Sequence, residues 1–288
     1  DLDLPADGDD RLVPRGYVGS RGPVNVGWQM MEALRRYGRY EPGVTVHPFY
    51  YDWRLSARTN AGRLAAMVNG VSGGRKVDLL THSAGALVAL AYVKLQGGGD
   101  RVDRLIMLAP PQRGVVDAFR IFVRPETFLR REFTPEMVAT WPSLYELLPE
   151  DGRFLVGAGD FDVWQPQTWS RFGGADLPNA GLLAAGRRFR EDLAAAPMPD
   201  GVRVTVIAGD CVATAKRVLL RGDDSFAFYL DDLRAGERDL VPLLFEPGDG
   251  TVPVSSAAAE DDAQLFCDGH QGIATDPNVH RAILRALR

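Results

Sequence analysis

The sequence predicts an α/β fold, a mostly parallel sheet covered by helices on both faces, with a helical cap inserted into it. Short apolar runs at Val77–Leu80, Val102–Ala109 and Val202–Ala208 alternate with helix-period segments, the rhythm of strands joined by crossover helices. One run lies in VDLLTHSAGALVALA (Val77–Ala91), where strand passes to helix through the tight turn Thr81-His82-Ser83-Ala84-Gly85. Between residues 115 and 200 the rhythm stops. That block holds three of the five tryptophans (Trp141, Trp164, Trp169), repeated prolines and amphipathic pieces at Val115–Val123 and Leu182–Leu193. Residues 1–114 and 201–288 therefore read as one core, and 115–200 as a cap whose apolar side would line a pocket.

Taken in order, residues 1–12 are acidic and irregular, and Val13–Pro23 is a loop rich in Gly and Pro. The spacing of Val26, Met30, Leu34 and Tyr37 predicts an amphipathic helix closed by Gly38, and Val44–Tyr51 reads as a strand. Tyr51-Asp52-Trp53-Arg54 follows, its Asp and Arg spaced to pair. Thr59–Val71 fits a helix with Leu64, Met67, Val68 and Val71 inward, ended by Gly73-Gly74. After the strand at 102–109, Pro110–Gly114 leaves the sheet. The arginines near the cap's edge (Arg113, Arg120, Arg124, Arg130, Arg131) interleave with Asp117, Glu126 and Glu132, a mixed-charge face. Residues 215–240 read as a hairpin or second flap. Leu243–Phe245 leads to the turn Pro247–Pro253, Ala263–Phe266 is a last short strand, and Asn278–Leu287 a closing helix.

Composition sets limits on function. Hydrophobic residues at 45% and charged ones at 25% are ordinary globular values, and a net charge of -5 offers no field for nucleic acid. No apolar run reaches the length of a membrane-spanning helix. The reading is of a soluble protein, with a cytoplasmic placement favoured and a removed leader left open. Cys211 and Cys267 are too few for a disulfide framework, and two buried thiols are the favoured reading over a single disulfide. The four histidines are dispersed, so no metal set is visible and no cofactor is implied.

The turn at Ser83 suggests a nucleophile, because a serine there is pushed off the sheet edge beside the next residue's N–H. Small neighbours, Ala84 and Gly85, suit a turn where backbone segments pass close. A serine hydroxyl is a weak nucleophile and needs a base, which needs an orienting carboxylate. Of the histidines, His82 adjoins Ser83 and should point away, His47 is upstream, and His280 is inside the closing helix. His270 follows the last strand in a Gly-containing loop and is the candidate base. For the acid, Asp249 between Gly248 and Gly250 is preferred to Asp210, and Asp268 reads as a loop residue. The order Ser83, Asp249, His270 is that of an α/β-hydrolase.

On these residues the chain resembles the lecithin:cholesterol acyltransferase family, its bacterial members in particular. Tyr51–Arg54, the His82-Ser83 turn, Pro111–Gly114, Pro142–Pro149 (PSLYELLP) and Gly248–Pro253 (GDGTVP) follow that family's signatures in its order, over about residues 11–288. The resemblance implies a Ser83, Asp249, His270 triad and acyl transfer from an apolar ester or lipid to water or an alcohol. Oligomeric state is left open. Two departures stand out. Thr81 replaces a small residue, and Ala84-Gly85-Ala86 replaces Met-Gly-Gly. The resemblance also implies an early strand ending in a Pro-Gly loop that gives a second oxyanion N–H beside that of Ala84. Here Gly16 or a neighbour in Val13–Gly19 would serve, or the strand lies upstream of Asp1. The competing reading is an impaired or non-catalytic scaffold that binds an apolar ligand or partner.

Overall fold

The computed structural model describes residues 3–5, 26–128, 131–172, 177–259 and 261–288. Helix α1 (Val26–Gly38) buries Met30 and Leu34 but leaves Tyr37 exposed, so its inward face is narrower than the spacing suggests. The expected strand at Val44–Tyr51 does not form. Among the described residues a bridge between Pro42 and Val46 is made there, and the amides of Val44, Thr45 and Val46 bond to the Glu41 carbonyl in a turn. Helix α2 (Ala57–Val71) starts two residues earlier than expected, since Ser56 caps it by accepting from the Arg58 amide, a contact worth about 1 kcal/mol. It buries Leu64 and Val68 and leaves Val71 at the surface.

Strand β1 (Val77–His82) runs into helix α3 (Gly85–Leu90), which continues as a π turn over Ala91–Leu95. Strand β2 (Val102–Leu108) is followed by the block that breaks the rhythm: α4 (Val116–Val123), β3 (Glu126–Phe128), β4 (Arg131–Phe133), α5 (Pro135–Val138), α6 (Pro142–Glu146), β5 (Leu155–Val156) and α7 (Ala180–Ala195). The chain then gives β6 (Arg203–Gly209), β7 (Val212–Ala215), β8 (Val218–Leu220), β9 (Phe226–Ala227), α8 (Val241–Leu244), β10 (Phe245–Gly248), α9 (Val254–Ala258), β11 (Ala263–Phe266) and α10 (Pro277–Ala286). Residues 215–240 thus contain the antiparallel β8–β9 pair, and β8 also pairs with β5.

Among the described residues the main sheet has four strands in the order β1-β2-β6-β11, all parallel. Pleating divides β2 between two cores. Leu105 and Met107 pack with Leu64, Val68 and Leu87 on one face, while Ile106 and Leu108 pack with Met30, Leu34 and Ile283 on the other. Each such fully buried side chain contributes roughly 1.5–3 kcal/mol. Among the described residues β1 is an outer strand. Its open side faces a cavity of about 620 Å³ walled by residues 44–51, with Tyr51, Met67, Val71 and Leu79 in its lining. A third core lies under α4 to β9. Phe119 is its centre, in ring contact with Phe154, Phe161 and Trp169 at 5.2, 5.6 and 5.3 Å. Trp141 and Trp169 are fully buried and act as packing.

Buried polar contacts tie this third core to the sheet. Asp52 and Arg54 form a bidentate pair at 3.0 and 2.7 Å, within a turn rather than a strand, and the Arg54 carbonyl accepts from the Ser143 amide. Glu146 of α6 accepts from Ser56 and from the Ala57 amide, so its carboxylate sits on the N-terminus of α2. Arg190 of α7 donates to the carbonyls of Gln112 and Pro111. Cys211 and Cys267 are joined as a disulfide, which corrects the expectation of two thiols. The parallel register pairs Phe266 with Gly209, so both cysteines fall just past paired strand ends despite a sequence separation of 56. Closing a loop of that length stabilises the fold by about 4 kcal/mol in the chain-entropy account.

Burial pushes Glu146 up to about 7 from an ordinary 4.5. Since the folded value is the higher, the folded chain holds an extra proton between the two, and stability falls as pH rises from about 4.5 to about 7. The loss is on the order of 3 kcal/mol. Glu146→Gln should therefore gain Tm relative to wild type as pH is raised from about 5 to about 8. Thermal melts across that range check it.

Candidate active site

The site begins where β1 ends. The Ser83 amide donates to the Leu108 carbonyl at 2.9 Å, prolonging the β1–β2 ladder, and the backbone then turns through φ 53° at Ser83. This left-handed conformation is uncommon for a residue with a Cβ and holds the side chain at a sharp bend. Ala86 and Leu87 at once donate to the Ser83 and Ala84 carbonyls at 2.9 and 3.0 Å, starting α3. Ala84 adjoins the serine, and its amide makes no backbone hydrogen bond among the described residues. Gly85 is less tightly placed than its sequence position suggests. A Cβ there would come 3.5 Å from the Tyr51 hydroxyl and 3.9 Å from the Thr81 Cβ, ordinary contact. The same space accommodates Thr81.

His270 follows β11, and its Nε2 lies 2.9 Å from Ser83 Oγ. Its Nδ1 lies 2.8 Å from Asp249 Oδ2. The other carboxylate oxygen of Asp249 accepts from the amides of Thr251 and Val252 at 2.9 and 2.7 Å. Asp249 is buried, and all these contacts come from groups able to donate, the set that an ionised carboxylate takes. With a carboxylate on Nδ1, the imidazole hydrogen belongs on Nδ1, which leaves Nε2 as an acceptor for the serine hydroxyl. The chemistry available is proton removal from Ser83 by a base oriented from behind.

The Asp249 and His270 loops are fixed by backbone. The Thr214 hydroxyl accepts from the Gly250 amide at 2.8 Å, and the His270 amide donates to the Asp249 carbonyl at 2.9 Å. Gly209, at the end of β6, leaves room for both loops, since a Cβ there would meet Asp268 O at 2.5 Å and Asp249 Cβ at 2.7 Å. The disulfide at Cys267 lies three residues before His270 and joins the same region. Asp210 instead has its amide on the Phe266 carbonyl. His47 contacts the Val44 carbonyl and His280 that of Ala274. Gly16 lies outside the described residues.

One neighbour was assigned no role from sequence. His82 sends its Nε2 to the His270 carbonyl at 2.9 Å, with the two rings 4.9 Å apart. Burial, and next the adjacent His270, push it down to about 4. Only its position beside Ser83 could have drawn attention to it. No group of three metal-ligating side chains is found among the described residues, and no described helix is long and apolar enough to cross a membrane.

The lecithin:cholesterol acyltransferase family model matches residues 20–171. A phospholipase A(1) of Arabidopsis thaliana, LCAT3, is 24% identical over 313 residues, covering 90% of this chain and 67% of its own length. An uncharacterised protein of Saccharomyces cerevisiae is 27% identical over 179 residues, covering 58% of this chain and 26% of its own. The chain thus spans about two thirds of one relative and a quarter of the other. Among solved structures, a chain of the Tle4–Tli4 complex superposes with a TM-score of 0.60 at 16% identity, covering 97% of this chain and 74% of that one. The fold is that of the α/β-hydrolases.

Gly209→Ala should move the Asp249 and His270 loops, because both close neighbours of the new methyl belong to those loops and neither is a flexible side-chain tip. Esterase turnover is expected to fall about 100-fold or more, as misplacement of about 1 Å can cost that much, and Tm to fall with it. Turnover and thermal melts of the purified variant measure both.

Proposed function

The chain belongs to the lecithin:cholesterol acyltransferase family, and from that premise we propose that it is a serine-dependent acyl-ester hydrolase or acyltransferase working through an acyl-enzyme. The observation that carries the proposal is the Ser83–His270–Asp249 chain of hydrogen bonds, at 2.9 and 2.8 Å. In this reading Ser83 Oγ attacks the ester carbonyl carbon while His270 Nε2 takes its proton. Asp249 holds the imidazole and stabilises the imidazolium. The carbonyl oxygen, now an oxyanion, is met by the Ala84 N–H.

As the tetrahedral centre collapses, the ester C–O bond breaks and the departing alkoxide oxygen takes the proton from His270. The acyl group is left on Ser83. Water or an alcohol then gives its proton to His270 and attacks the acyl carbon, and the same proton returns to Ser83 as the product leaves. The acceptor alone separates hydrolysis from transfer. The inserted block 115–200 is the cap in this reading, covering an apolar acyl chain. The name of the Arabidopsis relative, phospholipase A(1), supports a lipid ester as acyl donor. No cofactor enters any step.

A fluorophosphonate probe should label the wild-type chain on the peptide containing Ser83, and Ser83→Ala should abolish labelling. The same variant is expected to lose roughly 1,000-fold or more of turnover on a p-nitrophenyl ester, and of fatty-acid release from a diacyl phospholipid. Labelling at another residue would contradict the proposal.

A further inference from the structure

We infer that His82 is a positioning residue for His270, pinning the main chain of the base from the nucleophile's own strand; the inference rests on the triad reading above. Two side-chain contacts set the angle of the His270 ring, to Ser83 and to Asp249. Where the ring pivots depends on its backbone, and the peptides on both sides of the His270 Cα are held. Its amide donates to the Asp249 carbonyl at 2.9 Å, and its carbonyl accepts from His82 Nε2 at 2.9 Å. The rings of His82 and His270 also lie against each other, 4.9 Å apart and tilted by 37°.

The placement is economical. His82 is the last residue of β1 and precedes Ser83 directly, so one rigid strand end fixes the nucleophile through its backbone and the base through this side chain. A carbonyl can only accept, so His82 carries its hydrogen on Nε2. Burial keeps the ring neutral well below its ordinary range. A neutral donor suits the place, because a cation against His270 would oppose the imidazolium formed in the reaction. His82 contacts the carbonyl and ring of His270, and its role is separate from proton transfer at Ser83.

The test is steady-state kinetics of the full chain on a p-nitrophenyl ester, comparing wild type with His82→Phe and His82→Gln. Phenylalanine keeps the ring but has no donor, whereas glutamine carries an N–H the same number of bonds from Cβ as His82 Nε2. His82→Phe should lower kcat about tenfold or more with KM within about twofold. His82→Gln should restore kcat to within about threefold of wild type. Wild-type kcat in a folded Phe variant, or a Gln variant as slow as the Phe one, would overturn the inference. If the Phe variant does not fold, imidazole ¹⁵N NMR of the wild-type chain decides, with the His82 signals assigned by their loss in His82→Gln. A neutral Nε2–H ring down to about pH 5 supports the role, and an Nδ1–H or charged ring overturns it. Ser83→Ala and His270→Ala separate the two levels of the argument. If either retains turnover, the triad reading fails and takes this inference with it; if both are inactive while His82→Phe is unaffected, only the role of His82 fails.

Discussion

A serine held at φ 53° is the constraint on which the rest of the structure depends. A left-handed residue with a Cβ costs on the order of 1 kcal/mol or more, so its surroundings must over-determine it. They do so from both sides. On one side the Ser83 amide is the last rung of the β1–β2 ladder; on the other, the carbonyls of Ser83 and Ala84 already accept the first hydrogen bonds of α3. Behind the turn, Ala86, Leu87, Val88 and Leu90 are buried against β2 and α2, so α3 cannot unwind without exposing a core.

The other half of the site meets the turn from two different strands. Past β11, whose Phe266 is in register with Gly209 of β6, the chain carries His270, while Asp249 follows β10, which pairs antiparallel with β7. The disulfide, the Thr214 hydroxyl and the Asp249–His270 backbone contact limit the freedom of these two loops, and His82 reaches back from β1 to the His270 carbonyl. The third core, under α4 to β9, is joined at Asp52–Arg54, Glu146 and Arg190. These are buried polar or charged groups, and the hydrogen bonds they make offset much of the cost of burying them.

Much of this was legible in the sequence, and the failures have physical causes. The ends at Ser83 and His270 could be read because short strand-like runs stop there at turns of small residues, and Asp249 because it stands between Gly248 and Gly250. Val44–Tyr51 has the composition of a strand, but the amides of Val44, Thr45 and Val46 bond locally to the Glu41 carbonyl, a turn that strand propensity alone does not reveal. The proximity of the cysteines arises from the β6–β11 register, which their spacing of 56 in sequence does not record. Tyr37 and Val71 follow helical spacing yet are exposed, each at the edge of an apolar stripe where tertiary packing decides. The contact of His82 leaves no trace in the sequence, since its partner is a main-chain carbonyl 188 residues away.

The central claim is that this geometry makes Ser83 a covalent nucleophile. The most direct measurement is rapid-quench mass spectrometry of the chain mixed with a slowly turned-over long-chain ester. The account predicts an intermediate heavier by one acyl group, located on the peptide bearing Ser83, that decays as acid or transfer product forms. Product formation with no acylated Ser83, or an acyl group on another residue, would contradict it.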